Sequence, residues 1–439
     1  MDDKELDYKL EIENELADKN QWPKSFKISL GIAIGIIVIL IIVLIIIIIH
    51  YEDESSDESS NESNHNSQPE PQPQLSFDYS FFGEKYYNHT YDVNGKIENS
   101  FKEGGENYIK DIGNINNGED YDKNERNIYD IYIPQYALDR KDKINGIMLW
   151  IHGGGWLKGN LEDMDEFCKL FSQQGYISAT VGYTLLIDYY KIFNIFKILD
   201  EITACIKAIK KELIEKGFDG DKLRLGIGGY SAGGHLALLY SYLIKDIEII
   251  PLKFVIDFVG PIGLHEKYFY MLNPDKLNSP NDTLINIEDI STIEQAKKYG
   301  KIVKIFPESQ VLMYMNAFYG NKYSKEELDL MLDENGHIIY ENEKYKRMYE
   351  VVKYGYVTEI EDKHKLPTIC IYGGFDFILG VSTYAYLKEK AVKDGRPLDF
   401  IYSRYEGHGL VFPSKEDGKI KVWEMSSLIM KYFEKYFTS

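Results

Sequence analysis

Residues 223–236 read LRLGIGGYSAGGHL, and they give the clearest indication of the fold. Up to Gly229 the stretch has the length and apolar composition of a buried strand that ends in glycines. From Ala232 the apolar residues recur at helical spacing as far as Leu243. Because only a short turn separates the two patterns, the sequence predicts a strand, a turn and a helix in immediate succession.

Ser231 occupies this turn, with Gly229 two positions before it and Gly233 two positions after it. Residues without side chains at those positions let the strand and the helix approach each other, so that a strained turn exposes the serine hydroxyl. The pattern alone is weak, since a glycine-rich turn that merely ends a strand has the same letters. Its position between a strand and a helix makes Ser231 a candidate nucleophile.

From about Asn127 onward, apolar runs of strand length alternate with amphipathic helical stretches, which is typical of a mostly parallel sheet with helices on both faces. The predicted strands are 128–134, 146–152, 176–182, 223–229, 254–260, 367–373 and 398–405. The predicted helices are 162–174, 194–216, 232–243, 382–393 and 422–437. The fold class is therefore α/β.

A second glycine cluster, HGGGW at 152–156, closes the predicted strand 146–152. Attack on an ester carbonyl leaves negative charge on its oxygen, and each preorganised backbone N–H stabilises that charge by about 3 kcal/mol. The predicted donors of this oxyanion hole are the N–H groups of Gly153, Gly154 and Ala232. The residues predicted to support the loop are His152, Gly155 and Trp156. A phosphate-binding loop is disfavoured because the cluster lacks a Gly-Lys-Ser/Thr ending.

A serine hydroxyl becomes nucleophilic when a histidine removes its proton, and a carboxylate holds that histidine in the correct tautomer. Asp376 and His408 each follow a predicted strand across a short turn. The chain order of serine, aspartate and histidine is the order that accompanies such a nucleophile turn between a strand and a helix, and it differs from both protease orders. Asp362 and Glu406 are rival carboxylates, but Asp362 precedes its strand and Glu406 is only two residues from His408.

Together these motifs resemble the α/β-hydrolase superfamily, particularly its carboxylesterase and hormone-sensitive-lipase-like branch. The resemblance covers about residues 128–437 and depends on YDIYIP at 129–134, HGGGW at 152–156, GYSAGGH at 229–235, YGGFD at 372–376 and EGHG at 406–409. It implies an α/β-hydrolase fold with an inserted cap. It also implies hydrolysis of small-molecule carboxylic esters through an acyl-enzyme, without metal or organic cofactor.

Two positions depart from that branch. Tyr230 precedes the candidate nucleophile where hormone-sensitive-lipase-like enzymes usually carry Asp, and FILG at 377–380 replaces a Val-Pro that often follows the acid. Residues 262–366 resemble the inserted cap and contain helical patterns at 325–333 and 345–352. Candidate substrates are short-chain acyl esters, acetylated or feruloylated carbohydrates, lipid esters and aryl formamides.

Three functions remain open: an active esterase, a peptidase or arylformamidase-like amide hydrolase of the same fold, and an inactive adhesion or scaffold protein. Relatives of prolyl oligopeptidase usually lack the long glycine run before Trp156 and carry a propeller, for which 439 residues leave no room. Loss of the serine or the histidine would mark an inactive relative, and both Ser231 and His408 are present.

Residues 28–49 carry no charge and one polar side chain, Ser29. As a helix these residues span about 33 Å, which is enough to cross a hydrocarbon core of about 30 Å. A cleavable signal peptide would have a shorter apolar run followed by small residues, whereas HYED follows here. We therefore expect one transmembrane helix at 28–49 that contacts the lipid bilayer.

The orientation of this helix follows from the lysines around it, since basic residues favour the cytoplasmic side. Lys19, Lys24 and Lys27 lie just before the span, and no Lys or Arg follows it until Lys85. The tail 1–27 is predicted to be cytoplasmic. Residues 50–76, which are acidic and rich in proline, are predicted to form a disordered linker. The catalytic domain 77–439 is then extracytoplasmic.

The chain carries 70 acidic and 50 basic residues, a formal net charge of −20. Nucleic acid is disfavoured as a partner, because binding phosphates needs a basic stripe and none is visible. The spacing of the cysteines suits neither a disulfide framework nor a zinc site. We interpret them as buried packing residues: Cys168, Cys205 and Cys370.

Overall fold

The computed structural model describes residues 92–96, 108–116, 126–173, 175–186, 195–243, 249–263, 270–272, 292–302, 308–318, 323–373, 376, 378–403, 408 and 422–437. The predicted transmembrane helix at 28–49 and the predicted linker at 50–76 lie outside these residues. Within the described part of the chain, no helix is long and apolar enough to cross a membrane.

The described residues form eleven strands. They are β1 Asp92–Lys96, β2 Tyr108–Asn116, β3 Ile128–Pro134, β4 Asn145–Ile151, β5 Ile177–Val181, β6 Leu223–Tyr230, β7 Leu252–Phe258, β8 Tyr270–Leu272, β9 Gly300–Ile302, β10 Thr368–Gly373 and β11 Leu398–Ser403. Nine of these strands make one sheet in the order β1-β2-β3-β5-β4-β6-β7-β10-β11, and β8 pairs with β9 separately. From β5 to β11 all neighbours in the large sheet are parallel, while β1, β2 and β3 extend it as antiparallel strands.

Ten α-helices connect and cover the strands of the described chain. They are α1 Gln135–Leu138, α2 Asp165–Gln173, α3 Ile195–Glu215, α4 Ala232–Leu243, α5 Ile293–Tyr299, α6 Glu308–Phe318, α7 Lys325–Asp329, α8 Glu343–Val352, α9 Gly380–Asp394 and α10 Val422–Phe437. The alternation of strands and helices around a mostly parallel sheet confirms the predicted α/β-hydrolase fold class.

The two faces of the sheet are filled by alternate residues of each strand, as the two-residue period of a strand requires. On one face Phe254 of β7 packs on Phe433 and Phe437 of α10, with ring centroids 5.4 and 5.0 Å apart. On the other face Tyr372 of β10 packs on Tyr384 of α9, with centroids 6.0 Å apart. Each buried aromatic ring contributes about 2–3 kcal/mol through the apolar area that it removes from water.

Two features of the sheet differ from the sequence prediction. The sheet does not begin near Asn127, because β1 and β2 precede it; their sequences, DVNGK and YIKDIGNIN, show little of the apolar pattern by which the other strands were identified. The strand predicted at 254–260 lies two residues earlier, since Val259 adopts a φ of 46° that ends the extended backbone. The remaining strands and helices of the predicted sheet lie within about two residues of their predicted bounds.

The segment 262–366, predicted to be a cap, contains α5 to α8 together with β8 and β9. The helix predicted at 325–333 is shorter and ends at Asp329, whereas the helix predicted at 345–352 begins earlier, at Glu343. The earlier start follows from Asn342, whose side chain accepts hydrogen bonds from the N–H groups of Lys344 and Tyr345 and so caps the helix.

Candidate active site

Ser231 lies on the sharp turn between β6 and α4, with a φ of 53°. An L-residue adopts this left-handed conformation only at an energetic cost, so the surrounding packing must impose it. A Cβ at Gly229 would lie 2.3 Å from the backbone of Gly233, and a Cβ at Gly233 would lie 2.0 Å from the carbonyl oxygen of Ile151. Both predicted glycine positions are therefore required by close approach of the backbone.

Two backbone hydrogen bonds anchor the turn to the fold. The N–H of Ser231 donates to the carbonyl of Phe258 at 2.8 Å, and its own carbonyl accepts from the N–H of His235 at 3.0 Å. The serine is thus tied both to the neighbouring strand β7 and to the first turn of α4. This arrangement holds its hydroxyl at the carboxyl end of the parallel strands, where ligands bind in open α/β sheets.

The structure brings together the three residues that the sequence nominated from separate strand ends. Nε2 of His408 is 2.8 Å from Oγ of Ser231, and Nδ1 of His408 is 2.8 Å from Oδ2 of Asp376. A neutral imidazole with its proton on Nδ1 donates to the carboxylate and accepts from the serine hydroxyl. The geometry therefore suits proton transfer from Ser231 to His408.

Asp376 is itself held by backbone donors. Its Oδ1 accepts hydrogen bonds from the N–H groups of Ile378 at 2.8 Å and Leu379 at 3.0 Å, next to the start of α9. Proline at either position would lack the N–H, so the departure from Val-Pro at 377–380 provides amides that orient the carboxylate. The second oxygen remains available for His408.

The second glycine cluster lies against the serine turn. A Cβ at Gly153 would lie 3.2 Å from the Cβ of Ser231, and Gly154 adopts a φ of 110° that favours glycine. Among the described residues, no backbone or side-chain acceptor is paired with the N–H groups of Gly153, Gly154 or Ala232. These are the donors that the sequence nominated for an oxyanion hole.

His152 and Tyr183 support this glycine loop. The Nδ1 of His152 is 2.7 Å from the carbonyl oxygen of Gly153, and its ring stacks on Tyr183 with centroids 4.2 Å apart. The Tyr183 hydroxyl also donates to the His152 carbonyl at 3.0 Å. Burial lowers the pKa of His152 to about 4, so a neutral ring donates to the carbonyl of the peptide group that contains the Gly154 N–H. His152 therefore has the supporting position that the sequence predicted.

Trp156 connects the glycine loop to the segment 262–366. Its ring packs edge-on against His235 of α4, with ring centroids 5.3 Å apart, and against Phe318 of α6, with centroids 4.8 Å apart. Nε2 of His235 lies 2.9 Å from the carbonyl oxygen of Gly355. One aromatic side chain thus contacts both the helix that follows Ser231 and a helix of the predicted cap.

Sequence reasoning missed a buried network behind the serine turn. The Tyr372 hydroxyl is 2.7 Å from Oδ2 of Asp257 and 2.6 Å from the carbonyl oxygen of Gly260, whose N–H donates to Oδ1 of the same aspartate. Burial raises the pKa of Asp257 to about 7, although the hydrogen bonds from Tyr372 and Gly260 oppose the rise. The one feature of the sequence that could have indicated this network is Asp257, a charged residue within an otherwise apolar stretch.

Of the two rival carboxylates, Asp362 is buried in an ion pair with Arg396 at 3.0 Å, and Glu406 lies outside the described residues. The three cysteines are buried, as expected of packing residues. Within the described ranges, no cluster of three His, Cys, Asp or Glu side chains is arranged to hold a metal ion.

Comparison with known proteins identifies similar sequences and structures. The family model BD-FAE, an α/β-hydrolase-like domain, matches residues 129–315, a span that includes Ser231 but ends before Asp376 and His408. An arylesterase from Saccharolobus solfataricus is 28% identical over 124 residues, which is 28% of this chain and 38% of that protein. A non-reducing polyketide synthase from Aspergillus calidoustus is 25% identical over 203 residues, which is 43% of this chain and 8% of the synthase.

Among solved structures, a thermophilic esterase from Thermogutta terrifontis with bound butyrate has a TM-score of 0.44 and 15% identity, covering 70% of this chain and 88% of its own. The chain spans well under two thirds of the length of the curated relatives that it matches, 8% of the synthase and 38% of the arylesterase. The family match, which covers less than half of the chain, agrees with the predicted resemblance to the α/β-hydrolase superfamily.

Proposed function

We propose that this chain is a serine hydrolase that cleaves carboxylic esters through an acyl-enzyme. One observation carries the proposal: Ser231, His408 and Asp376 form a continuous series of contacts, each 2.8 Å long, around a serine with a left-handed φ. The match to the BD-FAE family and the likeness to an arylesterase support an ester as the substrate.

In the proposed acylation step, Nε2 of His408 takes the proton of the Ser231 hydroxyl as Oγ bonds to the carbonyl carbon of the ester. The carbonyl electron pair moves onto oxygen, where N–H groups of Gly153, Gly154 and Ala232 would donate hydrogen bonds to it. When the tetrahedral intermediate collapses, the bond to the alkoxy group breaks. His408 then gives its proton to the leaving alcohol.

Deacylation repeats these events with water. His408 takes a proton from water as the water oxygen bonds to the acyl carbon, and collapse of the second intermediate breaks the bond to Ser231 Oγ. The proton returns to Oγ and the carboxylic acid leaves. Asp376 accepts a hydrogen bond from Nδ1 of His408 throughout, and so stabilises the imidazolium that forms in each step.

Substrate hydrolysis by the purified full-length chain tests this function. We expect hydrolysis of p-nitrophenyl acetate or a longer acyl ester, and loss of that activity in Ser231→Ala by a factor of about 10⁴ or more. Cleavage of peptide or aryl formamide substrates without any ester would favour an amide hydrolase. Equal activity of the wild type and Ser231→Ala would contradict the proposal, as would a folded wild type without hydrolase activity.

We further propose that residues 28–49 anchor the enzyme in a membrane, with residues 1–27 cytoplasmic and the catalytic domain on the opposite side. The uncharged run of 22 residues and the lysines before it support this arrangement. We expect the full-length chain to sediment with membranes and a chain lacking 28–49 to remain in the supernatant. Protection of the catalytic domain from protease added to the cytoplasmic side would support the orientation, and its digestion would contradict it.

A further inference from the structure

Tyr230, which precedes the nucleophile, contacts the loop that carries the base. It is the last residue of β6, and its hydroxyl donates a hydrogen bond to the backbone carbonyl of His408, 178 positions further along the chain. The sequence marked Tyr230 only as a departure from related enzymes, which usually carry Asp there. In the structure this side chain connects the residue before Ser231 directly to the histidine.

The ring of Tyr230 also lies against the glycine loop. A Cβ at Gly153 would be 2.9 Å from Cδ1 of Tyr230, and the imidazole of His408 lies 5.8 Å from the Tyr230 ring at an interplanar angle of 53°. The tyrosine therefore lies between the loop of the proposed oxyanion hole and the proposed base. It contacts the glycine loop through its ring and the backbone of His408 through its hydroxyl.

The hydroxyl adds a fixed point that the imidazole contacts do not supply. Ser231 and Asp376 hold the two ring nitrogens of His408, whereas Tyr230 holds the backbone carbonyl of the same residue, beyond the end of β11 at Ser403. Burial raises the pKa of the Tyr230 hydroxyl, so it remains a donor at neutral pH. An ionised aspartate at this position has no proton to donate to a carbonyl.

We infer that Tyr230 is a positioning residue of the proposed ester hydrolysis: its hydroxyl fixes the backbone of His408 so that Nε2 stays within reach of Ser231. The inference rests on the proposed function. The hydroxyl acts through His408, so its loss affects proton transfer rather than substrate binding. A displacement of the base by about 1 Å is enough to slow the chemistry by up to about 100-fold.

The variant Tyr230→Phe removes the hydroxyl and keeps the ring. In the full-length chain we expect kcat for p-nitrophenyl acetate to fall about 10- to 100-fold with KM within about twofold. The matched control is Tyr129→Phe, whose hydroxyl donates to Glu212 at 2.6 Å inside the fold, and whose kcat should stay near wild type. Thermal unfolding of each variant reports any loss of stability separately.

A double-mutant cycle separates positioning from general structural support. The rate at which a fluorophosphonate labels Ser231 should be the same in His408→Ala as in the double variant His408→Ala with Tyr230→Phe. The imidazole that the Tyr230 hydroxyl positions is absent from both. The inference would be overturned if Tyr230→Phe slowed labelling as much in the His408→Ala background as in the wild type. An unchanged kcat in Tyr230→Phe alone would also overturn it. A wild type that hydrolyses no ester would instead overturn the proposed function, and this role with it.

Discussion

Two aspartates occupy neighbouring strand ends of the same parallel sheet but have opposite surroundings. Asp376 follows β10, accepts two backbone N–H groups on one oxygen and faces His408 with the other. Asp257 lies near the end of β7, is fully buried and faces the hydroxyl of Tyr372. The strands β7 and β10 pair directly, so a short distance along the sheet separates a carboxylate that contacts the imidazole of His408 from one that contacts the hydroxyl of Tyr372.

The number of hydrogens on Tyr372 and Asp257 explains why the two aspartates differ. The Tyr372 hydroxyl has one hydrogen but contacts two acceptors, Oδ2 of Asp257 and the carbonyl of Gly260. Both contacts are satisfied when a protonated Asp257 donates to the tyrosine oxygen and the tyrosine donates to Gly260. The raised pKa of Asp257, which burial causes, agrees with this arrangement. Asp376 therefore accepts hydrogen bonds beside the histidine, whereas Asp257 can donate one in the interior when it is protonated.

Replacing each aspartate by asparagine should change kcat by very different factors. Asp376→Asn should lower kcat about 10⁴-fold, because an amide at this position favours the wrong tautomer of His408. Asp257→Asn should retain kcat within a few-fold, because an amide donates to Tyr372 as the protonated acid does. Steady-state hydrolysis of one ester by both variants makes the comparison. Similar losses in the two variants would remove the distinction between the aspartates.

The next effect is on stability against pH. The ordinary pKa of an aspartate is 3.8, and burial raises the pKa of Asp257 to about 7 in the folded protein, so folding favours its protonated form. The stabilisation is complete below about pH 4 and declines as the pH rises to about 7, by about 1.4 kcal/mol per pH unit and on the order of 4 kcal/mol in all. Denaturant unfolding from pH 4.5 to 7.5 should show this decline as a difference between wild type and Asp257→Asn. Parallel curves would contradict it.

A smaller effect is expected from Tyr372→Phe. The variant leaves the Oδ2 of Asp257 and the carbonyl of Gly260 without the hydroxyl that contacts them, which should lower the free energy of unfolding by about 1–3 kcal/mol. When Asp257 is ionised, the Tyr372 hydroxyl donates to its carboxylate and so lowers the pKa of Asp257; loss of the hydroxyl should therefore also move the stability decline to higher pH. Denaturant unfolding across the same pH range measures both changes. A decline that stays in place would show that the hydroxyl does not act on Asp257.

The sequence predicted those parts of the fold whose cause is local. A serine between two glycines, a glycine cluster after β4 and polar residues after β10 and β11 each follow a strand whose apolar run is visible in the letters. The strands β1 and β2 were missed because strands of mixed polarity carry little periodic signal. The shift of β7 depended on the backbone of Val259, which no pattern of side chains reveals.

Long-range contacts were beyond sequence reasoning for a different reason. The letters nominated Ser231, Asp376 and His408 because the ends of parallel strands meet at one edge. Nothing comparable links Tyr230 to the carbonyl of His408, or Asp257 to the hydroxyl of Tyr372, since these contacts depend on side-chain directions in the folded chain. A departure from the family pattern at position 230 was the one visible sign.

The most direct test of the account is covalent labelling of the full-length chain with a fluorophosphonate, followed by intact mass measurement and peptide mapping. We predict one adduct per chain, carried by Ser231, with labelling slowed by orders of magnitude in Asp376→Asn and close to the wild-type rate in Asp257→Asn. A folded chain that forms no adduct at Ser231, or that labels only another residue, would contradict the claim that His408 and Asp376 activate this serine.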